Sequence, residues 1–124
     1  MNEAERAAGL APTPGYRYAD VAGDELFVAG QVPHDGDGRL VGAGAVDAQA
    51  DQCVTNLFRL VDVHGFERQH VRRLVIYVVG DDLAGAWAVV RSRFDGEVPP
   101  ATLLGVAGLG HPGQLVEIDA TIRR

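Results

Sequence analysis

At 124 residues the chain has the length of one domain and can bury a core without covalent staples. Apolar residues make up 47% of it and charged residues 23%, as in ordinary soluble proteins, and the net charge of −6 repels phosphate backbones, which argues against nucleic acid as a partner. A lone cysteine, Cys53, excludes an internal disulfide and fits a reducing cytoplasm, and no apolar run reaches the ~18 residues of a membrane span.

The opening "MNEAERAAGLAPTPG" lacks the basic start and apolar centre of a signal peptide, and residues 1–14 read as a loose arm. "YRYADV" and "ELFVAGQV" read as two strands joined by the turn "AGDE". The glycine-rich "PHDGDGRLVGAG" reads as a loop with a short strand at "RLV". A helix begins near Asp47. Ala50, Cys53, Val54, Leu57, Phe58, Leu60 and Val61 recur along it at helical spacing, and Gly65 is placed to end it. "VRRLVIYVV" is dense in β-branched residues and reads as a central strand. Asp81 or Asp82 is placed to cap a second helix, "LAGAWAVVRSRF", which Pro99 and Pro100 close off. "ATLLGVAGL" and "QLVEIDATI" supply the last two strands.

The order β-β-α-β-α-β-β implies an α+β domain, a mixed sheet with two helices on one face. In the last strand Val116, Ile118, Ala120 and Ile122 share one face, and Glu117, Asp119 and Thr121 the other. Val75, Tyr77 and Val79 leave apolar side chains opposite Leu74, Ile76 and Val78. A sheet apolar on both faces, with helices for only one, predicts an oligomer.

Few residues carry chemistry. His34, His64, His70 and His111 are scattered without metal-ligand spacing, so no metal is expected. No phosphate loop or dinucleotide fingerprint is present. Cys53 falls on the apolar stripe of the first helix and reads as a core thiol. Glu117 stands between Val116 and Ile118, so it is either a solvated outer-face residue or a carboxylate in a subunit-boundary crevice suited to passing a proton.

"LFVAGQVP", "DAQADQCVTNLFRLVDVHGF", "VRRLVIYVVGDD", "PPAT" and "GQLVEIDATI" together resemble the Rid family (YjgF/YER057c/UK114, formerly L-PSP endoribonuclease), collinearly over residues 14–124. The Gln49/Gln52/Asn56 pattern falls in register. The resemblance implies a chorismate-mutase-like fold and a homotrimer with clefts between subunits. It further implies hydrolysis of reactive imines or enamines, such as 2-aminoacrylate, without metal or organic cofactor. The glutamate that activates water matches Glu117, and a first-strand tyrosine matches Tyr16. Gly30 keeps the family's Gly-Gln pair, while Ala29 stands where well-known members have serine. Trp87 matches an asparagine of the second helix, and Thr102 replaces the arginine that grips the substrate carboxylate.

A guanidinium–carboxylate pair contributes ~1.5–3 kcal/mol, so its loss weakens capture of a 2-imino acid roughly 10- to 200-fold. Thr102, Ala29 and Trp87 then imply a pocket more apolar and less cationic than the family's. Arg17, pointing away from Tyr16, is not expected to replace the missing charge. Two functions follow. One is an enzyme acting on a small imine, enamine or carbonyl metabolite, with Glu117 as its acid/base and Tyr16, Ala29, Gly30, Trp87 and Thr102 about the ligand. The other is a trimeric module that binds a small molecule or a partner without chemistry. A ribonuclease is disfavoured by the acidic charge and the lack of a basic, aromatic stripe.

Overall fold

A computed structural model describes residues 2–124. Among them α1 spans Glu3–Ala7, β1 Ala19–Ala22, β2 Glu25–Val28, α2 Val46–Val63, β3 Val71–Val79, α3 Leu83–Arg93, β4 Ala101–Val106 and β5 Val116–Arg123. The strands form one sheet in the order β1-β2-β5-β3-β4. β3 and β4 are parallel, as the α3 crossover between them requires, and the other pairs are antiparallel. β1 and β2 are joined by a two-residue turn whose Gly23 adopts φ 60, a conformation glycine takes freely.

All seven apolar residues expected on the first long helix are buried on α2. All but Leu60 pack against Val116, Ile118 and Ile122 of β5 and Leu74, Ile76 and Val78 of β3. Full burial of each such side chain contributes about 1.5–3 kcal/mol, which makes this layer the main source of stability. Gly65, at φ 77, follows the C-cap His64 and ends α2. Of the two aspartates proposed to cap α3, Asp82 does so, its Oδ1 accepting the Gly85 N–H at 3.0 Å. The helices cover one face, as expected of this α+β sheet, and no helix among the described residues is long and apolar enough to cross a membrane.

Three expectations need correction. The segment read as a loose arm contains α1, and beyond it Leu10 is 2% exposed against Tyr18 and Leu60. Glu5 of α1 is buried too, its Oε1 3.0 Å from His64 Nε2 at the end of α2, so a polar contact and an apolar one anchor the segment. The first two strands are shorter than expected, with Gln31 joining Ile118 as an isolated bridge. The "RLV" strand reduces to one bridge, His34 to Leu40. Glycine-rich chain on both sides of that bridge has too few side chains to sustain a ladder.

β3 contains a bulge. Val71 pairs with Ile122 and Arg73 with Thr121, leaving Arg72 as the extra residue. The bulge lets Val71 and Leu74 both face the core although three positions separate them. Arg73, next to Leu74, faces the open side with Val75 and Tyr77 by ordinary alternation.

Candidate functional site

The open face is ruled by strand register. Thr102, Val75 and Asp119 lie side by side on β4, β3 and β5, and Leu104, Tyr77 and Glu117 form the next row. Glu117 sits at the β5 end nearest Gly30. A Cβ added to Gly30 would fall 2.5 Å from Glu117 Oε2, so the carboxylate rests directly on the glycine's Cα. Its other oxygen, Oε1, accepts a hydrogen bond of 3.2 Å from Gln114 Nε2. Gln114 is itself fixed. It is 4% exposed, also donates to the Val116 carbonyl at 3.0 Å, and accepts the His111 N–H at 3.3 Å. Glu117 is therefore an oriented, partly buried carboxylate and not a freely solvated one.

Tyr16 stands close enough to Glu117 to sense its charge. Partial burial first, and that negative charge second, raise the phenol above its ordinary pKa, so it keeps its proton as a donor. Ala29, the residue before Gly30, is held by its backbone: its N–H donates to the Tyr18 carbonyl at 2.8 Å and its own carbonyl accepts from Gln31 Nε2 at 2.7 Å. Tyr16, Gly30 and Glu117 thus form one group, with Ala29 next to it in the chain.

Thr102 and Trp87 stand apart from it within the protomer. Two strand spacings, about 10 Å, separate the strand of Thr102 from that of Glu117. Trp87, on α3, packs against the core on the helical side of the sheet, opposite Glu117. Arg17 reaches Asp20 at 3.6 Å and plays no part in the group.

Two residues that the sequence reading left out are prominent. Gln114 is one. The other is Arg73, whose Nη2 donates to Thr102 Oγ1 at 2.8 Å. The Arg73 guanidinium is thus a positive charge beside Thr102 that the sequence reading did not weigh. The signal was plain alternation back from Leu74, which puts Arg73 on the face of Val75 and Tyr77.

Among the described residues no three His, Cys, Asp or Glu side chains gather as metal ligands would. A concavity of about 470 Å³ lies between α2 and α3 beside the Arg93–Asp51 pair. It is on the helical layer, remote from Glu117.

Comparison with known proteins places this geometry in context. A family model described as Endoribonuclease L-PSP matches residues 7–123. The RutC family protein slr0709 of Synechocystis is 32% identical over 122 residues, covering 96% of this chain and 93% of its own. Among solved structures, E. coli TdcF with bound serine superposes with a TM-score of 0.85 at 22% identity, covering 97% of this chain and 94% of that one. The E. coli YjgF gene product superposes with a TM-score of 0.84 at 23% identity, over 94% of each chain. At these identities the two structures show the fold.

Proposed function

This chain belongs to the Endoribonuclease L-PSP family, the Rid proteins of the sequence comparison, and on that footing we propose that it is a Rid-like hydrolase of a small imine, enamine or carbonyl metabolite. The observation that carries the proposal is the Glu117 carboxylate, held on one side by Gln114 and seated on the bare Cα of Gly30. An acid/base residue needs such placement, because a proton moves only over hydrogen-bond distance.

In the proposed reaction Glu117 takes a proton from water as the water oxygen bonds to the imine carbon. The C=N π pair moves to nitrogen, which takes that proton from Glu117 and gives the neutral carbinolamine. Glu117 then takes the carbinolamine's hydroxyl proton and passes it to the amine nitrogen, so the C–N bond breaks, ammonia leaves, a carbonyl forms and the carboxylate is restored. Water and imine are consumed, and ammonia and carbonyl compound are released. Tyr16, kept protonated, donates a hydrogen bond to the ligand. Following the family's active members, the reaction is assigned no metal or organic cofactor and a cytoplasmic setting.

Thr102 and Glu117 are too far apart in one protomer for a small imine to span both. We assign the chain a homotrimeric state, in which the β4 edge of one subunit, with Thr102 and Arg73, can face the Tyr16–Gly30–Glu117 group of the next. The partly exposed Val75, Tyr77 and Leu104 support this, as a face to be covered. TdcF, with the same fold, has been seen with bound serine, a small amino acid, which supports a small-molecule ligand here.

The test is ammonia release from 2-aminoacrylate and from bulkier amino-acid imines generated in situ. The natural chain is expected to accelerate hydrolysis, favouring the bulkier imines, and Glu117→Gln to abolish turnover with little change in thermal stability. Undiminished turnover in Glu117→Gln would remove Glu117 from the chemistry. Absence of turnover with every imine, together with small-molecule binding by calorimetry unaffected in Glu117→Gln, would establish the second reading, a binding module. The replacement of the family's serine and arginine by Ala29 and Thr102 is the observation that keeps that reading in view.

A further inference from the structure

Beside Glu117, where the N-terminal segment crosses the loops beyond β2 and before β5, lies a cleft of about 350 Å³ walled by Pro12, Pro14, Tyr16, Tyr18, His34 and His111. This is within the size range of small-molecule sites. Its remaining lining residues are alanine, threonine, valine and glycine, so no fixed charge faces into it. The His34 and His111 rings meet edge to face, with centroids 4.8 Å apart and planes at 75°.

The wall is chemically specific. Burial first, and the neighbouring His111 second, lower the His34 pKa against a smaller opposing pull from Asp35, which favours its neutral ring with one N–H donor and one lone pair. Burial above all raises the Tyr18 phenol to about 12 and, with Glu117, raises Tyr16, so both phenols remain neutral. Flat proline faces, aromatic edges and neutral donors and acceptors suit a planar ring. They offer a carboxylate or a phosphate no cation.

Two connections tie the cleft to Glu117. Tyr16 is a wall of the cleft and lies within reach of the carboxylate's charge. The His111 N–H holds Gln114, and Gln114 holds Glu117. We propose that this cleft receives a neutral aromatic ring bearing a hydroxyl or a ring nitrogen, the side chain of the ligand whose reacting group meets Glu117. The last clause rests on the hydrolase reading above; the cleft as a ring site does not.

The experiment has two arms. In the first, phenol and, separately, acetate are titrated into the full chain while the His34 and His111 Cε1–H signals are followed by NMR. Phenol is expected to shift both saturably, and His111→Ala or His34→Ala to weaken its binding about 2- to 10-fold, the range of one aromatic contact. Acetate is expected to leave both signals in place. No saturable shift with phenol, or an equal shift with acetate, overturns the ring site.

In the second arm, kcat/KM is compared for phenylalanine-derived and alanine-derived imines. The ratio is expected to favour the phenylalanine imine and to fall in His111→Ala. Turnover with no such preference overturns the link between cleft and Glu117. Phenol binding with no turnover of either imine leaves the ring site standing and removes the hydrolase reading.

Discussion

Gly30 has the least side chain in the site and the strictest requirement. An alanine Cβ there would lie 2.5 Å from Glu117 Oε2 and 2.9 Å from its Cδ, so the carboxylate would have to swing away. Gly30→Ala is therefore expected to reduce turnover nearly as far as Glu117→Gln, while its melting temperature moves less than after a core truncation such as Leu57→Ala, which costs about 2–5 kcal/mol. Paired kinetics and thermal melts check this. Cys53 behaves as its place on the apolar stripe implied. It is fully buried, and burial, with the Glu117 charge second, pushes its thiol well above the ordinary value. A thiol reagent is expected to leave it unmodified in the native state and to modify it once the chain unfolds. His34 titrates in the opposite sense. Its folded-state pKa is lowered, so the unfolded chain takes up the proton first, and stability present above about pH 6.5 is lost as pH falls through the folded value. Urea midpoints measured across that range should decline on acidification, and less steeply in His34→Gln. Glu117 and Tyr16 were legible in the sequence through motif register. Gln114 was not, because a neutral amide in a loop carries no sequence mark until its partners are seen.

The helix α2 does more than cover the sheet. Gln49 donates to the carbonyls of Gly42 and Gly113 at 3.1 Å each and accepts the Leu115 N–H at 2.7 Å. Asn56 donates to the carbonyls of Val32 and His34 and accepts from Gln52. One helix thus fastens both loops that flank Glu117 and the ring cleft. Asn56→Leu would remove one donor from each of two carbonyls, which keep the His34 N–H and Gln52 Nε2, at about 0.5–1.5 kcal/mol per bond, and the loss should appear both in denaturant midpoints and in faster hydrogen exchange around residues 32–34. The apolar periodicity of α2 gave its burial in advance. Its buried amides could be noticed only as a family pattern, since polar residues on a helix read as solvent-facing until the carbonyls that need them are placed. α1 was missed for a related reason. A five-residue helix has little stability of its own, and what orders it is tertiary, namely Glu5 on His64 and Leu10 against Tyr18 and Leu60. The bulge in β3 was written in the spacing of Val71 and Leu74, which alternation counted only from Leu74 onward left unread.

Seen whole, the molecule has one covered face and one open face, as the alternation of β3 and β5 implied. The proposed trimer predicts three times the protomer mass in solution. Leu104→Glu places a new carboxylate beside Tyr77 on the open face and is expected to lower the mass measured by light scattering, without unfolding the protomer. An unchanged mass would show that this face lies outside the interface. The distance between Thr102 and Glu117 was not legible, because strand order within a sheet is a tertiary fact that periodicity does not report. That order has a kinetic consequence. β5 is made after every other strand, yet it sits third of five, between β2 and β3. Until it is synthesised, the β1-β2 hairpin and the β3-β4 pair are separate ribbons, each with a bare inner edge open to wrong pairing. The sheet therefore closes late and by long-range contacts, which favours slow folding. A nascent chain halted before residue 116 should remain protease-sensitive, and one extended through residue 123 should become resistant in a single step.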